Sequence, residues 1–324
     1  MASLKFNDTY IKDYFTVSGP MEENSRLKKI DIKMDDYYFG EKTFEDAEVK
    51  MQKVVCDSLL NKNNLTIKDI NLLVGGDLLN QITATNYAAL NKDVSFLGVY
   101  SACATFCESL IVGSMFLQNS SIKNVLGVIS SHNLTAERQF RYPIEYGCPK
   151  PHTSTFTTTG SVGVLLNKGS GKLKIESVTI GKVFDKGIKD ANNLGAVMAP
   201  SAALTLYEHL KDLKRNADYY DLILTGDLGC IGGKIFENYF EKEYDIKLKN
   251  HTDAGCELYL KSQDTYSGGS GPACLPLVLF NKILSSKKYK KILIIATGAL
   301  HSTTFVNQKK TIPGISHAVS LEVM

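Results

Sequence analysis

The chain repeats itself, and the repeat limits its fold more than any other feature. INLLVGGDLL (Ile70 to Leu79) matches YDLILTGDLG (Tyr220 to Gly229). Both are apolar strand runs that end in a Gly-Asp-Leu turn. Each follows a helical pattern: FEDAEVKMQKVVCDSLL in the first case, AALTLYEHLKDL in the second. Further on, VYSACATFCESLIVGSMFLQN leads into NVLGVISS, as TYSGGSGPACLPLVLFNKIL leads into KILIIATG. GSVGVLL (Gly160 to Leu166) is answered by SHAVSLE (Ser316 to Glu322). Apolar runs alternating with helix-period segments specify strands and helices in turn.

The expected fold is therefore α/β: two βαβαβ halves with mostly parallel strands and helices on the sheet faces. The first half covers residues 1–168 and the second 169–324. Residues 136–160, rich in Pro, Thr and aromatics, break the regular pattern of the first half. A loop of that length inside a compact domain is usually a lid or an interface element.

Composition removes several functions. The formal net charge of +3 comes from 37 basic and 34 acidic residues, which makes no nucleic-acid surface. No window reaches the roughly 18 apolar residues of a membrane span, and the opening MASLKFNDTY lacks the apolar core of a secretory signal. The seven cysteines are scattered without a CxxC pair, so neither a disulfide framework nor a structural zinc site is expected. Cys56, Cys107, Cys256 and Cys274 read as core, and Cys148 and Cys230 receive no role. His132, His152, His209 and His251 lack metal-ligand spacing.

The chemistry centres on YSACATFCES, where Cys103 stands between an apolar strand run and a helix. A cysteine at such an elbow is either a nucleophile or a small packing residue. Two βαβαβ halves with this elbow resemble the thiolase fold, a layered αβαβα arrangement. YSACATF, TTTGSVGVLL and YSGGSGPACLPLVL are similar to the turns of ketoacyl-ACP synthase III-type condensing enzymes. GPMEENSRL, GGDLLNQITATNYAA, GVYSACATFCESL, TSTFTTTGSVGV and LTGDLGCIGG together resemble the stage V sporulation protein AD family. The resemblance covers nearly the whole chain.

That family resemblance implies a homodimer that binds dipicolinic acid. It also implies partnership with membrane proteins of the same sporulation operon, peripherally on the cytoplasmic side of the forespore or spore inner membrane. Dipicolinate would be taken up into the developing spore and released at germination. A condensing enzyme needs a histidine and an asparagine from its second half to stabilise an enolate. Here the first position holds Gly226-Asp227-Leu228 and the second Ser267-Gly268-Gly269-Ser270. A carboxylate there opposes both a thiolate and an enolate. The reading is binding without catalysis; the alternative is acyl transfer through Cys103 with His301.

Ligands of open α/β sheets sit beyond the carboxyl ends of the strands. The segments expected to meet are Ser101 to Thr105, Gly226 to Gly229, Ser267 to Gly271, Ala299 to Thr303 and Gly314 to His317. Cys103, Asp227, Gly269, His301 and Ser316 are the candidate ligand-binding residues, with Arg138, Arg141 and Lys150 adding charge from the lid. No cofactor is expected, except calcium arriving with dipicolinate, for which Asp227 is the candidate ligand. Asp77 is expected to do no more than form an Asx-type turn.

Overall fold

A computed structural model describes residues 1–140 and 149–324. The first half contributes β1 (Ala2–Lys5), β2 (Tyr10–Ser18), α1 (Pro20–Glu23), β3 (Ile32–Lys33), α2 (Phe44–Lys62), β4 (Leu72–Gly76) and α3 (Thr83–Ala89). It continues through β5 (Phe96–Gly98), α4 (Thr105–Phe116), β6 (Asn124–Ser131), α5 (Asn133–Phe140), β7 (Phe156–Thr157) and β8 (Gly160–Asn167). The second half begins with β9 (Leu173–Ile180), α6 (Leu194–Leu213), β10 (Leu222–Thr225), α7 (Gly229–Tyr244), β11 (His251–Asp253) and α8 (Ala254–Leu258). β12 (Gly269–Ser270), α9 (Cys274–Val278), β13 (Lys291–Ala299), α10 (Thr303–Asn307) and β14 (Gly314–Val323) complete it.

The main sheet runs β11-β10-β13-β14-β9-β2-β8-β6-β4-β5. Read inward from either end, the two halves have the same order: two parallel pairings, then two antiparallel ones. The duplication is thus structural, but the sheets are mixed rather than mostly parallel. The last strand of each half, β8 or β14, returns against its predecessor instead of crossing over. The halves join where Tyr10 and Ile11 of β2 pair with Lys174 and Leu173 of β9. β1 also pairs with β9, so the N-terminal strand extends the second half's sheet.

Helix positions follow from burial. α2 packs on β8, β2 and β6, and α6 packs on β13, β14 and β9. α4 differs from both: it touches β4 and β6 of one half and β13, β14 and β9 of the other. Its residues Phe106, Cys107, Leu110 and Ile111 sit in a core shared with Leu275, Leu277 and Val278 of α9. Helices apolar all round belong between layers, and these two form the middle layer. The outer layers have separate cores, one around Met51, Val55 and Leu59 and one around Leu206, Phe236 and Phe240. Thr43 caps α2 by accepting from the Asp46 N–H at 3.1 Å, in the usual N-cap manner.

Two expectations change here. The segment expected as a loop from residue 136 begins helical, because α5 runs to Phe140, and it ends in β7, which pairs with β12 across the halves. A disulfide joins Cys230 to Cys256, with the Cα atoms 4.6 Å apart. Sequence spacing hid this bond because the first turn of α7 and the start of α8 meet only in the folded chain. Among the described residues, no helix is long and apolar enough to cross a membrane.

Candidate functional site

The elbow is built as a sharp turn. Ala102 adopts a left-handed conformation (φ 50°), an uncommon one for a residue with a Cβ. The turn is held by Ala104 N–H to Ser101 O at 3.0 Å and by Thr105 Oγ1 to Ala102 O at 2.6 Å. β13 presses against it from the other half: a Cβ on Gly298 would lie 2.3 Å from Ser101 O. Only glycine allows that approach.

Cys103 is part-exposed, whereas the thiols of Cys107 and Cys274 are buried. Burial pushes the Cys103 thiol well above the ordinary range, and an ionised Asp227 would push it further. Burial likewise raises Cys107 to about 12 and lifts Cys274 well up, with Asp227, Asp253 and Cys103 adding to the latter. Asp227 itself is raised first by burial and then by Asp253. The Gly271 N–H favours the charged form of both Cys103 and Asp227, near enough to act on both without completing a hydrogen bond to Asp227. Gly271 has φ 100°, and a Cβ there would lie 2.8 Å from Ser131 Oγ. Cys103, Asp227 and Cys274, the last read as core, thus lie within electrostatic reach of one another.

The two Gly-Asp-Leu turns diverge in a way that marks the site. Asp77 accepts from Leu79 N–H at 2.8 Å, Thr85 N–H at 2.7 Å and Thr85 Oγ1 at 2.6 Å, the expected Asx-type turn. Asp227 is fully buried in the left-handed region (φ 74°), and neither of its carboxylate oxygens has a hydrogen-bond partner. The equivalent amide is taken by another residue: Asp253 accepts from Gly229 N–H at 2.9 Å and Leu228 N–H at 3.2 Å. It also accepts from Thr225 Oγ1 at 2.8 Å and Cys256 N–H at 3.2 Å. Burial raises Asp253 to about 6 despite these donors. Leaving a buried acid without donors is costly, and ionising it beside a second acid more so. Asp227 is held as the neutral acid, a potential hydrogen-bond donor.

The other candidates separate. His301 lies at the rim, its ring 5.5 Å from that of Phe140, which packs on Leu78, Ala102 and Ala136. Gly269 serves packing: a Cβ there would meet Leu258 Cδ2 at 2.9 Å and Cys274 Sγ at 3.1 Å. Ser316 faces away from the elbow, 2.9 Å from Ser201 Oγ on α6. Its neighbour His317 faces the elbow instead, with Nε2 3.4 Å from Ser101 Oγ, because side chains alternate along β14. Burial lowers His317 to about 4, so it stands there as neutral imidazole. Of the lid cations, Arg138 pairs with Glu45 at 2.9 Å and Lys150 with Glu137 at 2.7 Å; Arg141 and Cys148 lie outside the described residues.

No resident calcium fits this donor set. Calcium takes six to eight oxygens, whereas the Asp253 oxygens are occupied and the neighbours of Asp227 are thiols. Among the described residues, no group of three His, Cys, Asp or Glu side chains is placed to hold a metal ion. A cavity of about 590 Å³ lies away from the elbow, on the outer layer between Tyr207, Lys211, Lys214 and Lys247. Lys211 and Lys214 stand at the C-terminus of α6, where cations offset the helix dipole without a ligand.

Duplicated halves closing over two buried helices, with a cysteine elbow between them, define a thiolase-like protein. Solved structures bear out the fold. The 3-oxoacyl-(acyl-carrier-protein) synthase III of Aquifex aeolicus VF5 superposes with a TM-score of 0.54 at 14% identity, over 97% of both chains. A variant of OleA from Xanthomonas campestris gives 0.62 at 13% identity, over 98% of this chain and 99% of that one. The particular family is narrower. The stage V sporulation protein AD family matches residues 2–322. The stage V sporulation protein AD of Bacillus subtilis (strain 168) is 42% identical over 318 residues, 97% of this chain and 94% of that protein. This chain belongs to the stage V sporulation protein AD family, and with it to the proteins of sporulation.

Proposed function

We propose that the protein binds dipicolinate at the Cys103–Asp227 cluster, without catalysis, and that it serves dipicolinate uptake into the developing spore and release at germination. The observation that carries this reading is Asp227, fully buried with two unpartnered oxygens beside Cys103. Buried polar groups are nearly always paired, and a small planar dianion supplies acceptors for a neutral acid and for the Gly271 N–H. Cys103 contributes a wall rather than a nucleophile. Nucleophilic cysteines need a lowered pKa, and burial moves this thiol the opposite way. Calcium enters, on this reading, only as part of a calcium–dipicolinate ligand.

Two further elements of the proposal concern partners. β5 is an edge strand with Leu97 exposed, and Tyr87, Leu90 and Tyr100 are exposed on neighbouring segments. An uncovered apolar edge invites strand pairing, so a second copy of the chain is proposed to dock there. Membrane proteins of the same operon are the proposed partners at the cytoplasmic face of the inner forespore membrane, with this chain peripheral.

Calorimetric titration of dipicolinate, with and without calcium, tests the reading. Asp227→Ala should weaken binding about ten- to a hundredfold, the value of a hydrogen bond to a charged group. Stoichiometric acylation of Cys103 by acyl-CoA or acyl-carrier donors, read by intact mass, would replace the binding reading with the enzymatic one.

A further inference from the structure

The disulfide lies on the same wall as the candidate site. Cys230 is the second residue of α7, three residues after Asp227; Cys256 follows Asp253 by three. The 226–231 and 253–256 turns close on a third, 267–271. Ser267 O accepts from Cys230 N–H at 2.6 Å, and Ser267 Oγ accepts from Ile231 N–H at 3.1 Å. A Cβ on Gly255 would lie 2.1 Å from Gly269 O, and one on Gly268 2.4 Å from Gly255 O. The backbones of all three turns are thus in contact, and the third turn ends in the Gly271 amide, which favours the charged forms of Cys103 and Asp227.

Two devices hold the first turn to the second. One is Asp253, which accepts from Leu228 and Gly229 N–H. The other is the disulfide. They differ in access: Asp253 is buried, whereas Cys230 is exposed and Cys256 part-exposed. An exposed disulfide is open to attack by a thiolate, and the exposed, labile ones are the regulatory ones.

We propose that Cys230–Cys256 is a redox-reactive site that exchanges with low-molecular-weight thiols, and that its state sets how firmly the Asp227 and Gly271 turns are held. The exchange is balanced by two thiol equivalents. A small thiolate attacks Cys230 Sγ, the S–S bond breaks, and Cys256 leaves as thiolate and takes a proton. A second small thiolate attacks the mixed disulfide, releasing the oxidised small thiol and free Cys230. The first turn is then held to the second by the Asp253 hydrogen bonds without the covalent link. The consequence for ligand rests on the dipicolinate reading: the reduced form should bind it about three- to tenfold more weakly, since ordering the loosened turns draws on binding free energy.

The test uses the full chain in glutathione buffers of stepped ratio, with alkylation and peptide mapping of Cys230 and Cys256. Both thiols should be trapped together in the native protein as the ratio becomes reducing. A pair that resists reduction until the protein is denatured overturns the proposal. Amide hydrogen exchange then compares the oxidised and reduced chains over 226–231 and 267–271. Exchange should quicken several-fold in both segments on reduction, and unchanged exchange refutes the coupling. Dipicolinate titration of the oxidised, reduced and Cys230→Ser/Cys256→Ser forms completes it, the last two behaving alike. If no form binds dipicolinate, the ligand reading fails while the exchange measurement still decides the redox one.

Discussion

Glu48 gives the sharpest test of how this chain manages buried acids. It lies on α2 with no exposure, accepting from Ser130 Oγ and Thr135 Oγ1, each at 2.8 Å. Burial, then the charge of Asp77, raises it from the ordinary 4.5 to about 8. The folded chain therefore holds this proton more tightly than the unfolded chain. The stability it contributes is complete below about pH 4.5 and is lost as pH rises through about 8. A shift of this size corresponds to on the order of 5 kcal/mol at about 1.4 kcal/mol per unit, shared with the adjacent Asp77. Glu48→Gln removes the titration and keeps the contacts. Its oxygen can accept from Ser130, and its amide can donate to Thr135 Oγ1 while that hydroxyl donates to His132 O, now 3.0 Å away. Urea unfolding at about pH 5 and about pH 8.5 is the assay. The two proteins should agree within about 1 kcal/mol at the lower pH, and the variant should be more stable by about 2–5 kcal/mol at the higher. Parallel pH profiles would refute the reasoning.

Three other outcomes follow from the same geometry. Asp77→Ala should cost about 2–4 kcal/mol, since it strips three hydrogen bonds from buried groups, whereas Asp227→Asn should be neutral or stabilising, because no donor loses a partner and Asn tolerates positive φ; comparable losses in the two variants by urea unfolding would contradict the divergence of the turns. If a second copy docks on β5 as proposed, the chain sediments as a dimer and Leu97→Lys should shift it to a monomer, because a charge on an edge strand blocks pairing; a monomeric parent chain or an unchanged sedimentation coefficient refutes docking at that edge. Iodoacetamide should alkylate Cys103 more slowly than a free thiol near neutral pH and gain rate only in strong alkali, as its raised pKa requires; rapid labelling would reopen the acyl-transfer reading.

The duplication was legible because apolar runs and Gly-Asp-Leu turns are local. It gave the two halves and the elbow, but not the strand order: mostly parallel sheets were expected, and the last strand of each half turns back to make them mixed. Which acid stays unsatisfied was not legible. Thr85 stands eight residues after Asp77 and serves it, whereas Ile235 follows Asp227 by the same interval and has no hydroxyl. The decisive competitor, Asp253, reaches the second turn only because β11 pairs with β10. The same tertiary step hid the disulfide. Ser316 was placed on the wrong side by one residue, the error a strand's alternation makes easiest, and His317 holds the position facing the elbow.

A crystal structure of the protein soaked with dipicolinate tests the central claim most directly. The account expects the ligand over Cys103, with a carboxylate oxygen in hydrogen-bond distance of the Asp227 carboxyl and the Gly271 N–H, and no bond to the Cys103 sulfur. Dipicolinate lodged instead among Lys211, Lys214 and Lys247 of the outer cavity, with the elbow empty, would contradict it.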